Sequence, residues 1–192
     1  MMTKTLIEDK DISFLDEIGT LEVTNEDDGQ TLDALEIMKN NGVNAIRLRI
    51  RNEPAGGFRK LERTLQMAKQ IKALHMHFLL DFHFNHKWAY PEDHSKSKNR
   101  VHLGREALND QVFNYTYYVL SVLKEQGALP DMVQISSEIT HGHLWNESKV
   151  DGDFGSNDHW DHYMTSVISG VVAAKSIDSA INIRLGDGGE LQ

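Results

Sequence analysis

Among the 192 residues, the side chain best placed for acid/base work is Glu138. It closes the run Asp131-Met132-Val133-Gln134-Ile135-Ser136-Ser137-Glu138, apolar in its middle and polar at its end. A carboxyl at the mouth of a buried strand is partly dehydrated, and dehydration raises its pKa toward the range a general acid needs. A salt-bridged glutamate would look the same in sequence, so both readings stay open. Side chains alternate across a strand, which puts Gln134, Ser136 and Glu138 on one face.

The same alternation sorts two other runs. In Val43 to Ile50, Arg47 and Arg49 share a face, and Ile46, Leu48 and Ile50 take the other. Two arginines turned inward need carboxylates or a polar ligand. They fit a structural ion-pair network, or one of them orients a catalytic carboxylate. In His75 to Phe84, the residues His77, Leu79, Asp81 and His83 face away from Phe78, Leu80, Phe82 and Phe84. Asp81 and His83 then point toward a polar interior, though His83 also reads as a satisfied core histidine. Trp88 and Trp145 follow these strands closely. Exposed indoles there could stack on a sugar-like ring, and packing into the core is the alternative.

Ten histidines raise the question of a metal. The pairs His83 with His86, His141 with His143 and His159 with His162 match no specific ligand template. No metal and no cofactor is expected. A serine nucleophile lacks its Gly-x-Ser-x-Gly turn. With no cysteine, disulfides, thiolate catalysis and cysteine-type zinc sites are excluded together.

Something must hold these residues, and the chain repeats one unit: helix, polar or glycine turn, short β-rich run. Helices are expected over about Gln30 to Asn41, Phe58 to Leu74, Glu106 to Gln126 and Asp158 to Ser176. In the second of these, Leu61, Leu65, Ala68 and Ile71 line one side. Gly42 and Gly127 stop the first and third, and Pro130 bars continuation of the third. Strands are expected near Lys10 to Phe14, then at Val43 to Ile50, His75 to Phe84, Asp131 to Glu138 and Ala180 to Leu185. Such alternation makes parallel βα units, open or closed into a barrel. No glycine-rich phosphate loop follows the first strand, and polar residues end each strand. Both favour the barrel, whose active sites gather at the strands' C-terminal ends. The charged segment Trp88 to Leu103 reads as a solvated loop or as a wall of that cleft.

Composition sets outer limits. A hydrophobic share of 40% and a charged share of 26% describe an ordinary globular chain. A net charge of −9 disfavours nucleic acid as a partner. No secretory signal and no membrane-length apolar run is visible, so a membrane partner is not expected.

Taken in order, several runs resemble glycoside hydrolase family 53, the arabinogalactan endo-β-1,4-galactanases. They are Gly42-Val43-Asn44-Ala45-Ile46-Arg47-Leu48-Arg49, Leu80-Asp81-Phe82-His83 with Trp88-Ala89, and Pro130-Asp131-Met132-Val133-Gln134 running on to Glu138-Ile139. Gly142 and Leu144-Trp145 lie beyond, while Asp11-Ile12-Ser13 and Gly188-Gly189 fit less specifically. Each run alone is weak, and their ordered combination is strong.

The resemblance implies an α/β fold of (β/α)8 TIM-barrel lineage, here one partial barrel over residues 1–192 with about the first five βα units. It implies a retaining glycosidase acting on β-galactan or a related polysaccharide, in a secreted or extracellular setting. Glu138 takes the acid/base role, with Arg47, Arg49, Asp81, His83, Trp88, Ser137 and Trp145 as substrate-binding candidates. The retaining mechanism needs a second carboxylate roughly 5 Å away, which this family carries at strand seven. By the present count residue 192 falls just after strand five, so the chain is expected to lack its nucleophile and to be inactive alone. Ser137 stands where the family carries Asn, and Arg184 aligns with a family His. Both departures keep open a non-catalytic galactan- or oligosaccharide-binding remnant, and a glucan or mannan hydrolase of related fold is a third reading. Open sheet edges lead us to expect self-association or pairing with a complementary fragment.

Overall fold

A computed structural model of the chain describes residues 9–13, 15, 25–51, 61–84, 104–136, 149–150 and 156–185. Its centre is a parallel sheet of five strands: β1 (Asp9–Asp11), β4 (Ala45–Arg51), β5 (His77–His83), β6 (Met132–Ile135) and β7 (Asn182–Leu185), hydrogen-bonded in that order. Sequential strands lying side by side and parallel need a crossover each. Helices supply them: α1 (Ala34–Asn40), α2 (Leu61–Ala73), α3 (Arg105–Glu125) and α4 (Asn157–Ile177). A small antiparallel hairpin, β2 (Glu26–Asp27) with β3 (Gln30–Thr31), precedes α1.

Alternation decides what each face of the sheet carries. Ile46, Leu48, Ile50, Phe78, Leu80, Phe82, Val133 and Ile135 are all buried and belong to one apolar cluster. Ala68 and Ile71 of α2, Val112, Val119, Leu120 and Leu123 of α3, and Val167 and Ala174 of α4 complete that cluster. The rings of Phe82, Phe84 and Tyr115 meet at centroid distances of 5.9 to 6.3 Å. They fix α3 against the back of β5. The opposite face of the sheet carries the arginines of β4 with Asp81, His83, Gln134 and Arg184.

The expected strands and helices are present, with shifted ends. The first helix begins at Ala34, not near Gln30. Asp28 and Gly29, at φ 48° and 76°, make a tight turn between β2 and β3, a conformation suited to Asp-Gly in a two-residue hairpin. Asp33 then accepts the Leu35 amide hydrogen at 2.9 Å and starts the helix as its N-cap. The ladder of β6 ends at Ile135, because Ser136 adopts φ 64°. Residues 52–60, the whole segment Trp88 to Leu103, and the histidines His86, His141 and His143 lie outside the described residues.

Three helices end in the same hydrogen-bond pattern. Gly42 and Val43 bond back to Lys39 and Met38, His75 and Met76 to Lys72 and Ile71, Gly127 and Ala128 to Lys124 and Leu123. This reciprocal cap needs a left-handed residue at its centre. Two of the three are glycine, whereas His75 adopts φ 54° with a side chain attached. Among the described residues no helix is long and apolar enough to cross a membrane.

Candidate active site

The polar face of the sheet is built by register. Asp11 pairs with Arg47, Arg49 with Asp81, Arg51 with His83, Asp81 with Gln134, and Gln134 with Arg184. Neighbouring strands lie about 4.8 Å apart, so charged side chains on one face of adjacent strands must meet.

Asp81 is the centre of the cluster and is fully buried. Its Oδ2 accepts a hydrogen bond from Arg47 Nη2 at 2.6 Å and lies 3.1 Å from His83 Nε2. The Arg49 Nε stands 3.8 Å from the same oxygen. An ionised carboxylate can only accept, so His83 Nε2 carries the hydrogen and donates it. Burial alone would push the Asp81 carboxyl upward. The charge and hydrogen bond of His83, followed by those of Arg47, outweigh it and hold the pKa at about 2, against an ordinary 3.8.

Asp11 extends the cluster across β1. Arg49 Nε lies 2.8 Å and Arg47 Nε 3.8 Å from its Oδ2. Its Oδ1 accepts from the Ser13 amide at 3.0 Å and from the Ser13 hydroxyl at 2.5 Å. Ser13 Oγ in turn accepts the Arg49 amide hydrogen at 2.9 Å. The side chains of Arg47 and Arg49 keep 17% and 16% of their surface in contact with solvent, while Asp81 keeps none. Asp11 keeps 29%, so these two arginines and Asp11 are the members of the floor in contact with solvent. Asp81 and His83 act from beneath, by holding the arginines.

Of the residues singled out in the sequence, Arg47, Arg49, Asp81 and His83 come together here. Glu138, Ser137, Trp88 and Trp145 lie outside the described residues. Ser136, two residues before Glu138, is described: it is buried, and its amide donates to the Phe82 carbonyl oxygen at 3.1 Å. A non-glycine residue at positive φ costs about 1–3 kcal/mol, so the neighbouring contacts impose this bend where the polar end of the run begins. Three members escaped the sequence reading. Asp11 ends the opening strand with Ser13 two residues beyond it, and Arg51 stands two beyond Arg49. The alternation that exposed Arg47 and Arg49 would have found Arg51, whereas Asp11 and Ser13 join only because β1 lies beside β4.

Of the three histidine pairs, only His159 with His162 lies wholly within the described residues, and the two rings have separate neighbours. His159 Nδ1 lies 2.8 Å from the Lys149 carbonyl oxygen, and His162 Nε2 lies 4.0 Å from Asp158. Among the described residues no group of three or more His, Asp or Glu side chains could hold a metal ion.

Comparison with known proteins places this arrangement in a lineage. The chain is 46% identical over 177 residues to an uncharacterised Niallia circulans protein described as lying in the bgaB 5′ region, covering 91% of this chain and 48% of that one. It is 34% identical over 146 residues to arabinogalactan endo-β-1,4-galactanase A of Emericella nidulans, covering 76% and 39%. Among solved structures, the GH53 catalytic domain of Ignisphaera aggregans superposes with a TM-score of 0.85 at 34% identity, over 93% of this chain and 50% of that domain. A fungal β-1,4-galactanase gives 0.82 at 25% identity, over 91% and 51%. The chain therefore spans about half the length of the relatives it matches. The model of glycosyl hydrolase family 53 matches residues 7–187, and the chain belongs to that family, of whose TIM-barrel domain it is the N-terminal portion.

Proposed function

We propose that these residues form the acid/base half of a cleft that hydrolyses β-1,4-galactosidic bonds with retention of configuration. Glu138 is the group that protonates the leaving oxygen and then activates water. Turnover takes a second carboxylate, roughly 5 Å from the first in a retaining enzyme. The remaining half of the barrel is to supply it, on this polypeptide or another. Arg47 and Arg49 orient carboxylate or sugar oxygens at the floor, and Asp81 with His83 fixes the arginines. Trp88 and Trp145 offer faces for sugar rings, and Ser137 sits beside the acid.

Membership in family 53, with arginines gathered around one buried aspartate on the sheet's polar face, supports this reading. The test combines this chain with a polypeptide carrying the second half of the Niallia circulans relative. Reducing ends released from β-1,4-galactan are measured, and the anomer formed first is read by NMR. We expect release of the β-anomer, and loss of at least a thousandfold in rate for Glu138→Gln. A folded complex that releases nothing, or the α-anomer, would refute it.

Ser137 and Arg184 favour a second reading, in which the cleft binds galacto-oligosaccharides without cleaving them. Losing an amide that could donate and accept removes a transition-state contact. Calorimetry separates the two: heat of binding without turnover supports the second.

A further inference from the structure

The turn that closes α1 holds the chain's one Asn-Gly pair, Asn41 followed by Gly42, and the fold dictates both members. Gly42 adopts φ 93°, the left-handed conformation that centres the cap, so a side chain there would be strained. Asn41 stands where a donor is needed. Its Nδ2 donates to the Ile37 carbonyl oxygen at 2.9 Å and to Asp27 Oδ2, on the β2–β3 hairpin, at 3.0 Å. One amide group thereby ties the end of the helix to the hairpin. Both partners are acceptors, and a carboxylate in its place could make neither bond.

An asparagine followed by glycine is also chemically labile. With no Cβ on the second residue, its backbone nitrogen reaches the asparagine Cγ unhindered. That nitrogen loses its proton to solvent base, bonds to Cγ, and expels Nδ2 as ammonia. Water then opens the cyclic imide at either of its two carbonyls and leaves aspartate or isoaspartate. One water is consumed, one ammonia is released, and nothing is oxidised or reduced.

The closed turn blocks this attack. The Gly42 amide donates to the Lys39 carbonyl oxygen at 3.1 Å and the Val43 amide to that of Met38 at 3.0 Å, while Asn41 Nδ2 is committed to its two acceptors. Reaction therefore requires the last turn of α1 to open. That helix has only seven residues, and Asn41 and Gly42 are exposed. Short, solvated helix ends open at little cost. The product opposes reclosure. Its carboxylate would face the Asp27 carboxylate and the Ile37 carbonyl oxygen, at the negative end of a helix. In the isoaspartyl form an extra main-chain carbon also shifts the register of the cap.

We propose that Asn41 is a deamidation site gated by this turn: protected while hairpin and helix are joined, converted when they part, and then unable to rejoin them. The modified turn leads directly into β4, the strand of Arg47, Arg49 and Arg51. The inference is independent of any catalytic role.

The full chain is incubated in mildly alkaline buffer, folded and in urea, and the peptide containing Asn41 is followed by mass spectrometry. Conversion is expected in the folded chain, about tenfold or more slowly than in urea. Asp27→Ala removes one tether and should speed conversion in the folded chain while leaving the rate in urea unchanged. The converted chain carries one more negative charge and separates by anion exchange. In it, the Gly42 and Val43 amide hydrogens should exchange with solvent about tenfold or more faster, with those of β5 unchanged. Asn41→Asp reproduces the aspartyl product and should show the same exchange. Four results would overturn the inference. They are no conversion at Asn41 in the folded chain, equal rates folded and in urea, no effect of Asp27→Ala on the folded rate, and conversion that leaves exchange at Gly42 and Val43 unchanged.

Discussion

Replacing Asp81 by asparagine removes the charge on which the floor of the candidate site is centred and leaves its shape. The side chain is fully buried, with Arg47 Nη2 at 2.6 Å, His83 Nε2 at 3.1 Å and Arg49 Nε at 3.8 Å from one oxygen. Removing one partner of a buried ion pair leaves the other charge uncompensated and costs about 3–5 kcal/mol. Arg47 and Arg49 retain Asp11, which at 29% exposure compensates them less. We expect the lower half of that range at pH 7. The pH dependence has a defined sign. The folded pKa of about 2 lies below the ordinary 3.8, so the stabilisation is full above about pH 4 and is lost as pH falls through 2. The difference is worth about 2 kcal/mol at 1.36 kcal/mol per unit. Urea unfolding of wild type and Asp81→Asn at pH 7, 4 and 3 measures the gap, with the exposed Asp110→Asn as control. The gap should stay level from pH 7 to about 4 and narrow by about 1 kcal/mol at pH 3. A gap below 1 kcal/mol at pH 7, or one as wide at pH 3 as at pH 7, would refute the account of Asp81 as an ionised keystone.

Gly170 of α4 lies so close to β6 that an added Cβ would stand 2.9 Å from Ile135 Cγ2 and 3.0 Å from its Cδ1. Ile135 is fully buried and cannot swing away, so Gly170→Ala should cost about 1–3 kcal/mol by overpacking, with partial recovery on adding Ile135→Val. His75→Gly should raise stability by about 0.5–1 kcal/mol, seen as a higher Tm, since it relieves an exposed left-handed residue in a helix cap. Asp33→Ala deletes the cap bond to the Leu35 amide and should cost about 1 kcal/mol. Thermal unfolding at neutral pH checks it.

The sheet was legible because its two faces differ so sharply in chemistry. In β4 and β5, isoleucine, leucine and phenylalanine alternate with arginine, aspartate and histidine, and no other secondary structure separates these sets so fully. Helix ends at Gly42 and Gly127 were equally plain. The end at His75 was not, because its cap is held by packing and hydrogen bonds that no local residue announces. The hairpin before α1 carried a readable Asp-Gly, but helical periodicity from Leu32 onward masked it. Asp11 shows a different limit. Its part in the site depends on which strand lies beside β4, and strand order is a property of the whole fold.

The arrangement of charge bears on how two carboxylates could divide their labour. Arg47, Arg49 and Arg51 all stand on one face of β4, and the one fully buried carboxylate among them is already bound to Arg47 and His83. A further carboxylate delivered over β4 would meet guanidinium groups that cannot lose their charge, and would be held ionised. That suits a nucleophile. A general acid needs the reverse, a proton retained near neutral pH, and so is better carried away from the three arginines of β4. The run ending in Glu138 leaves β6, two strands and about 10 Å across the sheet from β4. Gln134, which stands between Asp81 and Arg184 in the register, is uncharged. In the galactanase reading the arginine-rich strand would therefore serve the carboxylate from the other half barrel, and Asp81 would matter to catalysis by keeping those arginines in place for it. Asp81→Asn in a reconstituted barrel should then raise the lower, nucleophile limb of the pH profile of kcat/KM more than the upper limb assigned to Glu138.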